Sequence, residues 1–321
     1  MRSRLTTAID LFCSEDQRDK VDSSRNPGMQ TVLVTGALGL LGRWSVDALT
    51  DDFDVIGVDL HEPQSPTQSA TYRACDVTEQ GPVWELVAEF KPDAIVHLAA
   101  IPGAGHRAGT ETFTTNVNST YHVFEAAGQH DIPVVWASSE ATYGVTFRDE
   151  ARPLPALPID ESAPQRPEDA YGTSKVVGEV LADRAVRRHG IPVTSIQPSW
   201  IQEPGNYETP QIREAFTVED ATPSGSLWSY IDVRDVARLI REAIMADSSG
   251  HESYLAVADD NYLDVPTADA IEAAWGELPA GSSLSGDEAA FSTAKAREDF
   301  GWEPQHSWRK AERADGEVPQ P

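Results

Sequence analysis

The sequence predicts a doubly wound α/β fold, a parallel sheet with helices on both faces, on three observations. Short runs of strand length alternate with segments of helical periodicity. The runs are continuously apolar, as strands buried on both faces must be. A glycine-rich turn joins the first strand to the first helix. In chain order, the β-branched stretch Gln30 to Thr35 reads as the first strand, Gly36, Gly39 and Gly42 as the turn, and Trp44 to Leu49 as continuing into a helix. Glycines spaced by three at that junction let the backbone approach a pyrophosphate, which the positive end of the helix favours. Asp54 to Asp59 reads as a second strand ending on an acid. A carboxylate there accepts hydrogen bonds from ribose hydroxyls and repels a 2′-phosphate, which favours NAD over NADP.

Further along, Ala94 to Ala100 and Ile132 to Ser139 have strand length and composition, and Thr112 to Ala127 between them has helical spacing. Ligands of such sheets bind beyond the carboxyl ends of the strands, where Ala99, Ala100, Ser138 and Ser139 fall. The helix expected over Tyr171 to His189 carries Tyr171 and Lys175 four residues apart, on one face. An ammonium so placed stabilises a phenolate, which equips a tyrosine to move protons near neutrality. A strand over Pro192 to Gln197 comes next.

These features occur together with Cys75-Asp76-Val77, His97-Leu98-Ala99-Ala100, Asn116-Val117-Asn118-Ser119-Thr120, Ser138 to Gly144, Tyr171-Gly172-Thr173-Ser174-Lys175, Tyr230 to Ala237 and Ser292 to Pro304. In this order the chain resembles the extended short-chain dehydrogenases/reductases over roughly residues 29 to 308. The resemblance implies a Rossmann sheet with a small substrate-binding part from the C-terminal segments. It also implies hydride transfer with NAD as cofactor. Tyr171 exchanges the hydroxyl proton, Lys175 lowers the phenol pKa and holds the nicotinamide ribose, and Ser139 hydrogen-bonds the reacting oxygen. The cofactor contacts it implies are Gly36, Leu38, Gly39, Leu40, Leu41, Gly42, Asp59, Asp76 beside the adenine, Val77, Leu98, Ala99, Ala100, Asn116, Tyr171, Lys175 and Pro198. Asn116 also matches a residue that supports the active-site helix. The implied partition is an N-terminal arm over 1–28, the NAD-binding domain over 29–197, substrate-binding segments over 198–308 interleaved with sheet elements near 226–259, and a flexible acidic tail over 309–321. Homodimers formed through the active-site helix and its neighbour are a further implication.

The 321 residues carry 52 acids against 25 Lys and Arg, of which five are lysine, for a formal charge of −27. Such a surface repels itself at low salt and is screened at about 1 M, where the Debye length is about 3 Å. This reads as a halophile's cytoplasmic protein of haloarchaeal type, the acids being spread along the chain rather than gathered in a tail. Nucleic acid is not an expected partner, because phosphate binding needs a basic footprint. Cys13 and Cys75 give neither a disulfide framework nor a metal-ligand pattern. No run has membrane-spanning length. Residues 1 to 28 are polar, unlike a signal sequence, and read as a disordered arm, with Met29 as an alternative start.

Substrate class is narrowed by the segment after the strand over Pro192 to Gln197. Nucleotide-sugar epimerases resemble this chain but carry a long insertion there to grip UDP or dTDP. Here only about 25 residues separate Pro204 from Tyr230, with Arg213 as their one basic residue, and arginine forks are what usually hold a pyrophosphate. A small sugar is therefore favoured. Glu203-Pro204-Gly205-Asn206-Tyr207 resembles the uronate dehydrogenase branch, which oxidises an anomeric hydroxyl to a lactone. Gln197 stands where that branch has a carboxylate-binding arginine, so a neutral aldose is as good a fit as a uronate. Dehydratases resemble the chain with an acidic pair after the catalytic hydroxyl, and Ala141 breaks that pair. Glu140 is read mainly as a solvated loop acid, with contact to sugar hydroxyls as the other reading. His106, in the glycine-rich loop 103–109, is a candidate for a flexible lid. Trp200 and Asn206 are candidate pocket walls, and His97 is assigned a structural place. The leading function is an NAD-dependent sugar or sugar-acid dehydrogenase. The alternatives are a UDP-glucose 4-epimerase-like enzyme that retains its NAD and a non-catalytic NAD-sensing protein.

Overall fold

The computed structural model describes residues 28–65, 70–147, 153–311 and 318–319. Apart from Gly28 the expected N-terminal arm lies outside them, as do residues 312–317 and 320–321 of the expected tail. Strand β1 (Thr31–Thr35) runs into helix α1 (Leu40–Leu49). Then come β2 (Asp54–Asp59), β3 (Thr71–Ala74), α2 (Gln80–Phe90), β4 (Ala94–His97), α3 (Gly109–Gln129) and β5 (Val134–Ala137). A 3-10 turn, Glu140–Tyr143, precedes α4 (Ala170–His189), β6 (Val193–Pro198), β7 (Ile201–Gln202), α5 (Thr209–Ala215), β8 (Ile231–Asp232) and α6 (Val233–Met245). The order closes with β9 (His251–Ala256), α7 (Thr267–Trp275), α8 (Ala294–Phe300) and α9 (Trp308–Ala311).

Seven strands form one parallel sheet in the order β3-β2-β1-β4-β5-β6-β9. The chain reverses direction across the sheet between β1 and β4, so a crevice opens at their carboxyl ends. Alternate residues of β1 serve opposite faces. Val32 and Val34 join a core that includes Val46 and Leu49 of α1 and Val236, Leu239 and Ile240 of α6. Leu33 joins another core with Val83 and Val87 of α2, Val123 and Phe124 of α3, and Ala182 and Ala185 of α4.

β4 is shorter than the apolar run Ala94 to Ala100 because its neighbour β1 ends at Thr35, which pairs with His97. Leu98 to Ala100 then leave the sheet. The edge strand β3, a half-polar segment with one neighbour, has no counterpart among the expected strands. The boundary expected at 308 also shifts: Trp308–Ala311 form a helical turn with Ala311 buried, because the Trp308 backbone N–H donates to Tyr230 Oη at 2.7 Å and its indole N–H to Asn261 O at 2.8 Å.

Beyond the carboxyl ends a smaller part is assembled from separate stretches around Tyr143, Leu157, Trp228, Tyr230, Tyr262 and Phe291. A bridge between Ile159 and Phe291 and the two-stranded β7-β8 pairing tie it together. Among the described residues no helix is long and apolar enough to cross a membrane.

Candidate active site

The phosphate-binding turn is held by backbone contacts that leave no room for side chains. Gly36 has φ +70°, and a Cβ there would lie 2.7 Å from Ala99 N. A Cβ on Gly42 would lie 2.0 Å from Gly36 O, so α1 packs on the turn only with glycine at that position. The N-terminus of α1 is capped by Gly39 without a side-chain hydrogen bond, and its first turn holds no acid. Its free N–H groups and positive end therefore suit an anion such as a pyrophosphate. Asp59, at the end of β2, accepts the Leu38 N–H at 2.9 Å through Oδ2 and the Leu60 N–H at 2.8 Å through Oδ1. The acid thus holds the glycine turn.

Asp76 is exposed and accepts both the backbone N–H and the hydroxyl of Thr78, at 2.9 and 2.7 Å, while Val77 is buried in the core beneath it. Asn116 is buried and works as a staple. Its Oδ1 accepts Ile101 N–H at 2.8 Å, and its Nδ2 donates to Ile101 O and Ser174 Oγ, both at 3.1 Å. That ties the loop after β4 to the helix carrying the tyrosine.

α4 starts where Asp169 accepts the Gly172 N–H at 2.8 Å and stops at Gly190 in the left-handed region, with Arg187, Arg188 and His189 in the last turn. Close approach to β5 requires Gly178, where a Cβ would meet the Trp136 ring at 2.4 Å. The Lys175 ammonium consequently reaches the end of β5, donating to Ala137 O at 2.7 Å with its Nζ 5.5 Å from the Tyr171 ring centre. Ser139 caps the 3-10 turn by accepting Ala141 N–H at 3.1 Å, and its hydroxyl also bonds the Tyr171 phenol. Ser139, Tyr171 and Lys175 come together on one wall of a cleft of about 1070 Å³ that also takes in Gly36, Gly39 and Gly42.

Burial dominates the electrostatics of the tyrosine and the lysine. Burial pushes Tyr171 up to about 12, opposed by the Ser139 hydroxyl and reinforced by Asp169 and Glu140. Burial also brings Lys175 down to about 8, against the pull of Glu179 one turn along. His97 is buried and brought down to about 3 by desolvation, with Lys175 adding to the fall, so its imidazole is neutral, paired with Thr35 Oγ1 at 2.8 Å and Thr120 Oγ1 at 3.3 Å.

Of the substrate candidates, His106, Glu140 and Trp200 line the cleft, as does Pro198. Glu140 is not a solvated loop acid: it is 3% exposed, because the 3-10 turn folds it inward against Ser199 and Thr146. Asn206 lies elsewhere, in an exposed turn closed by its own N–H to Glu203 O at 2.9 Å. Gln197 also faces away from the cleft, accepting the Tyr143 hydroxyl at 2.7 Å and donating to Glu179 at 2.8 Å. Sequence reasoning missed Ser199, Phe147 and Tyr262, which line the same cleft. Ser199 had a signal, being next after Pro198 at a strand's carboxyl end. Phe147, edge-on to Tyr171 at 6.1 Å, and Tyr262, edge-on to Trp200 at 5.9 Å, had none.

The model of the NAD dependent epimerase/dehydratase family matches residues 32–256. An L-arabinose 1-dehydrogenase (NAD(P)+) of Haloferax volcanii is 30% identical over 246 residues, 74% of this chain and 92% of that protein. Among solved structures, a glucuronic acid dehydrogenase of Chromohalobacter salexigens superposes with TM-score 0.61 at 23% identity, covering 90% of this chain and 91% of that one. A UDP-glucose 4-epimerase of Thermotoga maritima superposes with TM-score 0.66 at 19% identity, covering 88% and 96%. The two structures speak for the fold alone.

Proposed function

The chain belongs to the NAD dependent epimerase/dehydratase family and is a dehydrogenase or epimerase of it; from that premise we propose that it oxidises the anomeric hydroxyl of a free, neutral aldose with NAD. The observation that carries this reading is the polarity of the cleft. Among the described residues that line it there is no arginine, and its basic side chains are Lys175 and His106 against the acids Glu140 and Glu208. Arg213 stacks on the Trp308 ring, 3.8 Å from its centre, and donates to Tyr262 O at 3.4 Å. Beyond the glycine turn, the pyrophosphate of a nucleotide sugar or a uronate carboxylate would find few partners there. The Haloferax relative named for L-arabinose agrees with a neutral pentose.

NAD, held by the glycine turn and Asp59, supplies the hydride acceptor. The remaining work falls to side chains. Ser139 holds the substrate hydroxyl by a hydrogen bond, and the Tyr171 phenolate takes its proton as the carbonyl forms. Lys175 has one N–H on Ala137 O, which leaves its other two for the phenolate and the nicotinamide ribose. Its charge is half lost at about 8 and grows as pH falls below it, so it supports the phenolate on the neutral side of that value. Asp59 favours NAD over NADP by the repulsion a 2′-phosphate would meet. A homodimer packed through the outer face of α4, where Val180 is 57% exposed, belongs to the same reading.

Absorbance of NADH, monitored in high salt with a panel of aldoses, uronates and UDP-sugars, tests the reading. NADH with a neutral aldose is the expected result. No NADH with any free sugar, together with interconversion of a UDP-sugar, overturns it in favour of an epimerase, and activity confined to uronates overturns the neutral class.

A further inference from the structure

Helix α4 buries a carboxylate that takes no part in the proton path from Ser139 to Tyr171. Glu179 is 7% exposed and sits one helical turn after Lys175, as Lys175 does after Tyr171. Its Oε1 accepts the Ser138 hydroxyl at 2.6 Å and the Gln197 amide at 2.8 Å. Its Oε2 accepts the Gln165 amide at 2.6 Å and the Ser253 hydroxyl at 3.3 Å. These donors come from the end of β5, from β6, from the loop before α4 and from β9. All four are neutral: they hold the carboxylate in place without supplying the positive charge that a buried anion calls for. The cation on which it acts through space is Lys175, where it opposes the loss of charge that burial imposes. Ser138 immediately precedes Ser139, and its own N–H donates to Ile196 O at 2.7 Å. Backbone and side chain are therefore both fixed at the residue before the catalytic hydroxyl.

We propose that Glu179 is a positioning residue of the hydride transfer: its buried carboxylate fixes Ser138, and through it the adjoining Ser139, while its charge keeps Lys175 an ammonium beside the phenol. The assignment rests on the roles given to Ser139, Tyr171 and Lys175 and is independent of which sugar reacts. Glu179 is not among the residues that line the cleft, so it acts through its two neighbours. The other titratable groups packed around the pair do not replace it. On α4 itself Tyr171 is pushed up to about 12. From β4, His97 is neutral. From the 3-10 turn, Tyr143 is kept protonated by burial, with Glu161 and Glu179 adding to the rise, and Glu161 accepts the Leu255 N–H at 2.8 Å. From α3, Glu125 pairs with Arg184 and His189 farther along α4. From β9, His251 pairs with Asp183, and Glu252 with Lys295. Glu179 thus stands where one carboxylate serves both the hydroxyl that holds the substrate and the charge that supports the base.

The pH at which Lys175 becomes reactive toward acetic anhydride, read on its peptide by mass spectrometry in the NAD-free protein, tests the charge without sugar or cofactor. Glu179→Gln keeps an acceptor for Ser138 and removes the charge. Its midpoint should fall by about 1–2 pH units, the effect of a unit charge about 6 Å away at an effective dielectric constant near 20. Glu179→Asp keeps the charge and should stay within about half a unit of the wild type. The alkaline limb of kcat/KM should move with the midpoint in each variant. A Glu179→Gln midpoint that coincides with the wild type overturns the proposal. Should that variant not fold, the wild type decides: a Lys175 midpoint near about 8 supports the carboxylate's role, and one at or below about 7 overturns it. Ser138→Ala tests the tie to Ser139. It should cut kcat by about 3- to 10-fold, within the range of a single hydrogen bond, and leave the Lys175 midpoint in place; an unchanged kcat overturns the positioning of Ser139. If no aldose gives NADH, the aldose reading falls, while the labelling midpoints still decide Glu179.

Discussion

Replacing Asp59 by Asn is expected to turn cofactor preference toward NADP by relieving the repulsion of a 2′-phosphate, on top of a loss common to both cofactors. Asp59 makes two bonds, one to the Leu38 N–H and one to the Leu60 N–H. Asparagine keeps a single acceptor oxygen, and its amide nitrogen would face the other N–H. Losing one such bond costs about 0.5–1.5 kcal/mol, which predicts a three- to tenfold fall in NAD efficiency through a looser glycine turn. In the other direction, two unit charges about 5 Å apart interact by about 3 kcal/mol at an effective dielectric constant near 20. Asp59 is only half-buried, and screening at the crevice mouth lowers this to about 1–2 kcal/mol, or roughly 5- to 30-fold relief for a 2′-phosphate. The glycine turn serves both cofactors, so its loosening cancels, and the ratio of kcat/KM for NADP to that for NAD should rise about 5- to 30-fold. Initial rates with both cofactors at saturating sugar measure it. A ratio unchanged within threefold, in a variant that keeps the wild-type melting temperature, would refute the placement of the adenosine ribose at Asp59.

Three further outcomes are expected. Tyr171→Phe preserves the edge-on packing against Phe147 and should cut turnover by about 10²- to 10⁴-fold, the usual worth of a positioned acid–base group, with NAD affinity nearly unchanged; wild-type-like rates would remove Tyr171 from the proton path. Asp235 is held below the usual carboxylate range: burial alone would raise it, but His306, the Gln305 N–H and Arg238 together outweigh that. Its contribution is therefore present above its unfolded pKa and is lost as pH falls through the folded one. Denaturant titrations of Asp235→Asn should show a deficit of about 1–3 kcal/mol at pH 7 that closes on acidification below about pH 4, whereas a pH-independent deficit contradicts the linkage. With a formal charge of −27, the melting temperature should climb as KCl goes from about 0.1 to about 2 M, and a flat calorimetric profile across that range would rule out charge repulsion as a limit on stability.

What could be read from the sequence was what short spacings determine. The distance from Gly36 to Gly42 fixes contacts inside one turn, and Tyr171 and Lys175 lie one helical turn apart. The alternation of apolar runs was enough for the parallel sheet, since each buried strand states its own environment. Glu140 failed because its burial is decided by Ser199 and Thr146, which reach it from just after β6 and from the loop after the 3-10 turn. Gln197 and Asn206 show the same limit. A residue's position after a strand says that it lies near the crevice, but its neighbours decide which way it points. Helical spacing likewise gave the charge's proximity to the phenol and not the burial that pushes the phenol up.

The core beneath the substrate end gathers Tyr143, Leu157, Ile159, Trp228, Leu255, Phe291 and Trp308. β6 and α6 of the Rossmann part intervene between these stretches, and β9 contributes Leu255 to them. A part so interlaced is not a module. It cannot be exchanged between relatives by a single recombination crossover without stranding half of its apolar contacts. New specificities in such a scaffold must therefore arise by point changes on the cleft wall, or by insertions in loops such as 203–230, while the surrounding core stays fixed.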